Sequence, residues 1–228
     1  MEESKTAFID ESTAKPMISM KITNDLWGKA LEQSIFSDKL QFLDYDGCAT
    51  VSFSKITLPN SIVMLSIKPR HGALGIILDD LILPTNLHTL ILWDCILSTT
   101  ITLPPNLHTF VFYGSSDPKI IFSKNIKRLC MQCYSTFSSY FNLDNLPPEL
   151  EELYIGYFIG NATNLPTTLK KITVLIPNSS NDSFMAKFIK IPYGCELVRS
   201  KHECWNIIHM IYSEHKYEFL KIENIYIT

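Results

Sequence analysis

LPTNLHTLIL at 83–92 and LPPNLHTFVF at 103–112 are one ten-residue phrase written twice, and the phrase returns along the chain. Three further copies keep the Leu-Pro opening: LPNSIVMLSI at 58–67, LPPELEELYI at 146–155 and LPTTLKKITV at 165–174. FSKNIKRLCM at 122–131 keeps the apolar spacing without the proline. Two weaker copies flank the array, one with an apolar frame from Leu40 and a start near Phe36, the other IPYGCELVRS at 191–200. From 58 to 165 the starts lie 25, 20, 19, 24 and 19 residues apart, about 21 on average. Apolar residues alternate at the end of each phrase, the mark of a short strand. The Leu-Pro ahead of it belongs to the turn feeding the strand, where proline fixes φ and its missing N–H does no harm. Eight of the 12 prolines (59, 84, 104, 105, 147, 148, 166, 192) sit in such turns, which is why proline outnumbers the eight glycines.

A unit this short cannot bury its own apolar face, so its copies must stack. Leu87, Leu90 and Leu92 then meet Leu107, Phe110 and Phe112 of the next copy across a parallel spacing of ~4.8 Å. A β-sandwich would not need one phrase at every turn. L-x-x-L-x-L within a period of 20–29 residues is the leucine-rich-repeat pattern. L-P-P-x-L-x-x-L-x-I/V resembles the leucine-rich repeats of bacterial effector proteins and the FNIP-type repeats of amoebae and of giant DNA viruses of amoebae. Phe141-Asn142-Leu143 ahead of Leu146-Pro147 is similar to the FN element of the latter.

The resemblance covers about 36–200 and implies an α/β solenoid used for protein binding. In detail it implies a leucine-rich-repeat horseshoe with about seven short parallel strands, mostly irregular return segments and helical caps. The chain then divides into an N-terminal cap (1–35), repeats (36–200) and a C-terminal cap (201–228). For a viral or bacterial source, the resemblance further implies a host protein as partner, met in the host cytoplasm. Proteins of this type also carry F-box or ubiquitin-ligase modules. Residues 1–35 lack the L-P-x-x-L opening of an F-box, and too few residues follow 200 for a catalytic domain. The alternative to a plain interaction scaffold is thus a substrate-recognition adapter of a ubiquitin ligase complex, docked through 1–35.

Composition narrows the function classes. Of 228 residues, 46% are hydrophobic and 19% charged, which excludes a disordered or collagen-like chain. The formal net charge of −3, with no Lys/Arg run longer than two, gives no footprint for nucleic acid. Met1 to Lys15 is acidic and hydroxyl-rich rather than signal-like. The longest charge-free stretch, 95–116, is broken by Pro104, Pro105 and Asn106, so no membrane span is expected. These features point to a cytoplasmic monomer with six reduced cysteines and silent sequons at Asn161, Asn178 and Asn181.

At the ends, Met17 to Ile22 reads as extended, and Leu26, Trp27, Ala30, Leu31 and Ile35 recur at helical spacing. His202 to Glu214 places Trp205, Ile208, Ile211 and Tyr212 on one helical face, and Tyr217 to Thr228 reads as extended. Trp27 and Trp205 are expected in the cap cores.

Candidate chemistry is sparse. Cys130 and Cys133 form a C-x-x-C pair without a second pair or a helix N-terminus, so neither zinc nor redox chemistry is expected. Cys48 and Cys95 stand ninth in their repeats, where a Cys or Asn fills the inward turn. Cys195 takes a first-leucine position and Cys204 the last helix, able to bridge only under oxidising conditions. His88 and His108 repeat one position and can stand side by side, two ligands short of a metal site. No nucleophile elbow or phosphate loop is present, so the chain reads as non-catalytic and free of cofactors.

The outward strand positions carry the binding hypothesis. His88-Thr89, His108-Thr109, Lys127-Arg128, Glu151-Glu152 and Lys170-Lys171 make a stripe whose charges pair between rungs. Beyond it run a column of Ser66, Ile91, Val111, Cys130, Tyr154 and Thr173 and another of Lys68, Trp93, Tyr113, Gln132, Gly156 and Leu175. Ile91, Trp93, Val111 and Tyr113, with Tyr154 and Tyr157 further along, form the candidate partner-binding patch on the concave face. The competing expectation is that a cap, or Lys68 to Asp80, folds back over it.

Overall fold

In the computed structural model, the described residues are 19–23, 35–47, 56–69, 76–78, 81–97, 99–114, 120–133, 143–156, 158, 161–175, 182–200 and 204–215. The helix expected over 26–35 lies almost wholly outside them, as do the extended tail, Cys48 and most of the segment proposed to dock a ligase subunit.

Each Leu-Pro phrase folds the same way. The proline carbonyl accepts from the amide three residues on: Ile62 to Pro59, Leu87 to Pro84, Leu107 to Pro104, Leu150 to Pro147 and Leu169 to Pro166, all at 3.1–3.2 Å. Proline thus opens a β-turn, and the apolar residue that closes it is already in the core. The next two amides then share one carbonyl of the preceding copy. His88 and Thr89 both donate to Val63 O, His108 and Thr109 to His88 O, and Lys127 and Arg128 to His108 O.

The strands that follow are β1 (Ser19–Thr23), β2 (Phe42–Gly47), β3 (Met64–Pro69), β4 (Ile76–Ile77), β5 (Thr89–Trp93), β6 (Cys95–Ile96), β7 (Ile101–Thr102), β8 (Thr109–Gly114), β9 (Ile120–Ile121), β10 (Arg128–Cys133), β11 (Glu152–Ile155), β12 (Lys171–Leu175) and β13 (Glu196–Ser200). Nine of them form one sheet in the order β1-β2-β3-β5-β8-β10-β11-β12-β13, every pairing parallel. The protein is a parallel β-solenoid. Among the described residues the ladder has nine strands against about seven expected, the rung outside the repeats being β1, from the extended run before residue 24. Short parallel pairs, β4 with β6 and β7 with β9, stitch the return side. Two 3-10 helices, Leu143–Asn145 and Asp182–Lys187, complete the described return segments.

Register follows the phrase. Leu43, Leu65, Leu90, Phe110, Leu129, Leu153 and Ile172 stand opposite one another, as do Tyr45, Ile67, Leu92 and Phe112. All are buried in one continuous core with the turn-closing residues Ile62, Leu87, Leu107, Ile126, Leu150 and Leu169. Gly47 makes room for the buried ring of Tyr45, which a Cβ there would strike. The last rung departs from the frame. One residue fewer separates Cys195 from the strand, so Glu196 pairs with Lys171, Leu197 with Ile172 and Val174 with Arg199. A one-residue slip exchanges faces, and Leu197 rather than Val198 turns inward.

The fourth phrase position builds a side-chain ladder along the turns. Ser61 Oγ donates to Leu40 O (2.7 Å), Asn86 Nδ2 to Asn60 O (3.0 Å), Asn106 Nδ2 to Thr85 O (3.1 Å), Asn125 Nδ2 to Pro105 O (2.7 Å) and Thr168 Oγ1 to Leu150 O (2.7 Å), with Pro148 O also within reach at 3.0 Å. Glu149 occupies the same position between Asn125 and Thr168, and its carboxylate has no proton to donate.

One α-helix, α1 (Cys204–His215), lies among the described residues. It falls where helical spacing predicts it. Its Ile207, Ile208 and Ile211 are buried against the outward face of the sheet. The described part of the expected C-terminal cap thus lies against a face of the sheet, and 201–203 and 216–228 lie outside the described residues.

Candidate partner-binding face

The outward face carries its own apolar cluster, separate from the interior core. It comprises Phe42, Met64, Ile91, Trp93, Val111, Cys130, Tyr154 and Leu175 with Ile207, Ile208 and Ile211 of α1, and Tyr113, Met210 and Tyr212 pack against it. The strand register makes the arrangement oblique. Phe42 and Met64 stand in the column of Thr89, Ile91, Val111, Cys130 and Tyr154 in the next, and Leu175 in the column beyond, with Trp93 and Tyr113. The stripe crosses β2, β3, β5, β8, β10, β11 and β12 diagonally, about 29 Å at strand spacing. Over it lies a 12-residue helix about 18 Å long.

The predicted site residues are therefore brought together but not left open. Ile91 and Val111 are fully buried, Trp93 is 4% and Tyr154 8% exposed, and only Tyr113 stays half-buried. Tyr157 lies outside the described residues. Trp93 and Tyr113 stack at 3.8 Å between centroids and 15° between planes. The expectation of an open apolar patch is corrected: the C-terminal segment folds back over it, because burying three isoleucines against the stripe removes both surfaces from water, each side chain contributing ~1.5–3 kcal/mol. Residues just beyond the patch were missed. Phe42, Met64 and Leu175 belong to the stripe, and the signal that finds them is a diagonal across the repeats rather than a column along them.

Asp94, directly after Trp93, has φ 52°, the left-handed region that an Asp tolerates better than most residues. Its N–H donates to Tyr113 O at 2.6 Å, and the chain turns Cys95 inward. There the Sγ lies 3.3 Å from Trp93 O and 3.7 Å from Ile67 O, and burial, followed by the Asp94 charge, pushes the thiol far above its ordinary value. Cys130 is buried on the outward face, and Cys133 follows three residues on in the same strand. At ~3.3 Å per residue their Cα atoms are ~10 Å apart, beyond the ~7 Å limit for a disulfide.

A polar lock adjoins the apolar stripe. The Asp44 carboxylate, 1% exposed, meets Lys68 Nζ at 3.0 Å and Lys21 Nζ at 3.2 Å. Above it sits the hydroxyl of Tyr212 from α1, 2.8 Å from Ser66 Oγ, 2.9 Å from Lys68 Nζ and 3.2 Å from Asp44 Oδ1. Burial, then the Asp44 charge, holds the phenol strongly protonated. Its ring lies 5.9 Å from that of Phe42, and the Lys68 ammonium stands 4.9 Å over it. Sequence reasoning treated Lys68 as an ordinary column member; nothing local marks Asp44, Ser66 and Lys68 as the seat of a tyrosine 144 or more residues away.

The charged stripe lies along the opposite margin. Glu151 meets Lys127 at 3.6 Å and also pairs with Lys170, and the hydrogen bond from Lys170 holds its carboxyl below the usual range. Arg128 Nε lies 3.0 Å from Glu152, which also accepts from Tyr154 Oη at 3.0 Å. The rungs compensate one another, as the alternation of basic and acidic residues implies. His88 and His108 stand 5.2 Å apart, and partial burial, with His88 second, lowers the pKa of His108. Among the described residues no group of three or more His, Cys, Asp or Glu could hold a metal ion, and no helix is long and apolar enough to cross a membrane. No protein-family model matches the chain, and no curated protein matches it.

Proposed function

We propose that the chain is a non-catalytic protein-recognition module: a leucine-rich-repeat horseshoe of the FNIP-like type whose concave side engages a protein partner, a host protein if the source is viral or bacterial. The observation that carries this reading is the edge of the oblique apolar stripe, where Tyr113 packs against the cluster yet stays only half-buried. The stripe itself is filled by α1, so the reading rests on the tyrosine left partly exposed at its edge, a residue type that suits a protein interface. Affinity capture with the full chain, read by mass spectrometry, tests it. One protein should be recovered reproducibly by the wild type and lost with Tyr113→Ser, while thermal unfolding of the variant stays cooperative. Recovery of the same proteins by both chains sinks the reading.

A further inference from the structure

We infer that the outward face is a helix-exchange groove: α1 is its resident occupant, and the ligand it takes is an amphipathic helix of a partner carrying the same pattern. This deepens the proposed recognition function and rests on it for the existence of a partner. Three observations support it. First, the groove shows its ligand. Ile207, Ile208 and Ile211 fill the stripe, followed one residue later by the Tyr212 phenol in the polar lock, so a matching helix has apolar residues at i, i+1 and i+4 and a phenol at i+5.

Second, the lock supplies selectivity. With the helix seated, Asp44 and Ser66 are fully buried and Lys68 nearly so, and the Asp44–Lys68 ion pair does not itself use the phenol. A helix bearing phenylalanine there would leave Ser66 and the Asp44–Lys68 pair short of a partner, and buried polar groups left unmatched reject a ligand far more strongly than a missing methylene does.

Third, α1 can leave without opening the interior. Among the described residues, the interior core contains none of α1, and the cluster beneath the helix lies on the other face of the sheet. A 12-residue helix is marginal in isolation. Docking and helix formation are therefore coupled, and release of α1 is a local opening below global unfolding. While α1 is docked, a competing helix binds only to the open fraction, so its apparent affinity falls by that fraction.

The test uses the full chain and a fluorescein-labelled peptide of residues 203–216 with Cys204→Ser as the probe. Wild type should bind the peptide at least tenfold more weakly than a full-length Ile208→Asp, Ile211→Asp chain, in which the resident helix cannot dock. The same peptide with Tyr212→Phe should lose about tenfold on that variant. A variant that melts cooperatively yet ignores the peptide overturns the inference, and so does equal binding of the two peptides. Should the double variant fail to fold, hydrogen exchange on the wild type decides. Amides of 204–215 are expected to exchange while strand amides stay protected, and simultaneous exchange of both refutes the groove. Peptide exchange without any captured partner would leave the groove standing and remove the recognition function, which keeps the two failures apart.

Discussion

Glu149→Asn should stabilise the protein, although it touches neither the core nor the groove. Five of the six side chains at the fourth phrase position from Ser61 to Thr168 donate to a carbonyl of the preceding turn. In the three Asn copies that acceptor belongs to the third phrase position, whereas the shorter Ser61 and Thr168 hydroxyls reach the fifth, so an asparagine replacing Glu149 would aim at Lys124 O. The net worth of one such bond is ~0.5–1.5 kcal/mol, and on an exposed turn the lower half applies, about 0.5–1 kcal/mol. For a chain of this length that is about 1–4 °C in Tm. Urea unfolding of wild type, Glu149→Asn and Glu149→Ala measures it, with an unchanged m-value showing that stability alone has moved. The alanine variant removes the carboxylate without adding a donor, so the gain must appear with asparagine and not with alanine. Asn106→Asp runs the experiment backwards, converting a donor to an acceptor at constant shape, and should cost a similar amount. The ladder has no energetic meaning if Glu149→Asn is no more stable than Glu149→Ala, or if Asn106→Asp is neutral.

Trp93→Asp should lower stability by more than ~3 kcal/mol or detach α1, because it buries a charge in the stripe; fluorescence and far-UV dichroism during urea unfolding would show either, and a wild-type transition would place Trp93 at the surface. Tyr212→Phe should cost ~1–3 kcal/mol by stranding the polar lock, again read by urea unfolding. Asp94→Gly should be neutral or slightly stabilising, whereas Asp94→Val should cost ~1–2 kcal/mol for the left-handed backbone, measured as paired melting curves. Cys95 should resist iodoacetamide at pH 8 in the native protein and react once unfolded, as peptide mass spectrometry would show, since burial keeps the thiol protonated.

The ladder was legible because two signals agree at each of the five Leu-Pro copies. Period-2 alternation assigns Leu90 and Leu92 to one face and Ile91 and Trp93 to the other, and the proline turn fixes where counting starts. The frame failed only at the last copy, where one missing residue between Pro192 and the strand turned Leu197 inward. The site was half legible. Ile91, Trp93, Val111, Tyr113 and Tyr154 do gather, since neighbours in a ladder follow from register. Their exposure did not follow, because the same residue types suit a foreign protein and the chain's own helix. The choice rests on Tyr212 finding Asp44, 168 residues away, a pairing that no local pattern encodes. The turn ladder was written in the recurring Asn86, Asn106 and Asn125, but its meaning needed the direction of the carbonyls one rung back.

The slipped last rung bears on how the stack ends. A parallel sheet with a free edge is a template for another molecule, and repeat proteins are exposed to end-to-end polymerisation. At the β13 edge the slip sets Arg199 in the column that Val174 fills one rung earlier, and both Arg199 and Glu196 are exposed. An incoming strand would have to lay its apolar side chains on an arginine. A charge standing in an apolar column disfavours edge pairing, so the same slip that spoils the repeat would also make the described β13 edge a poor template for a further apolar strand.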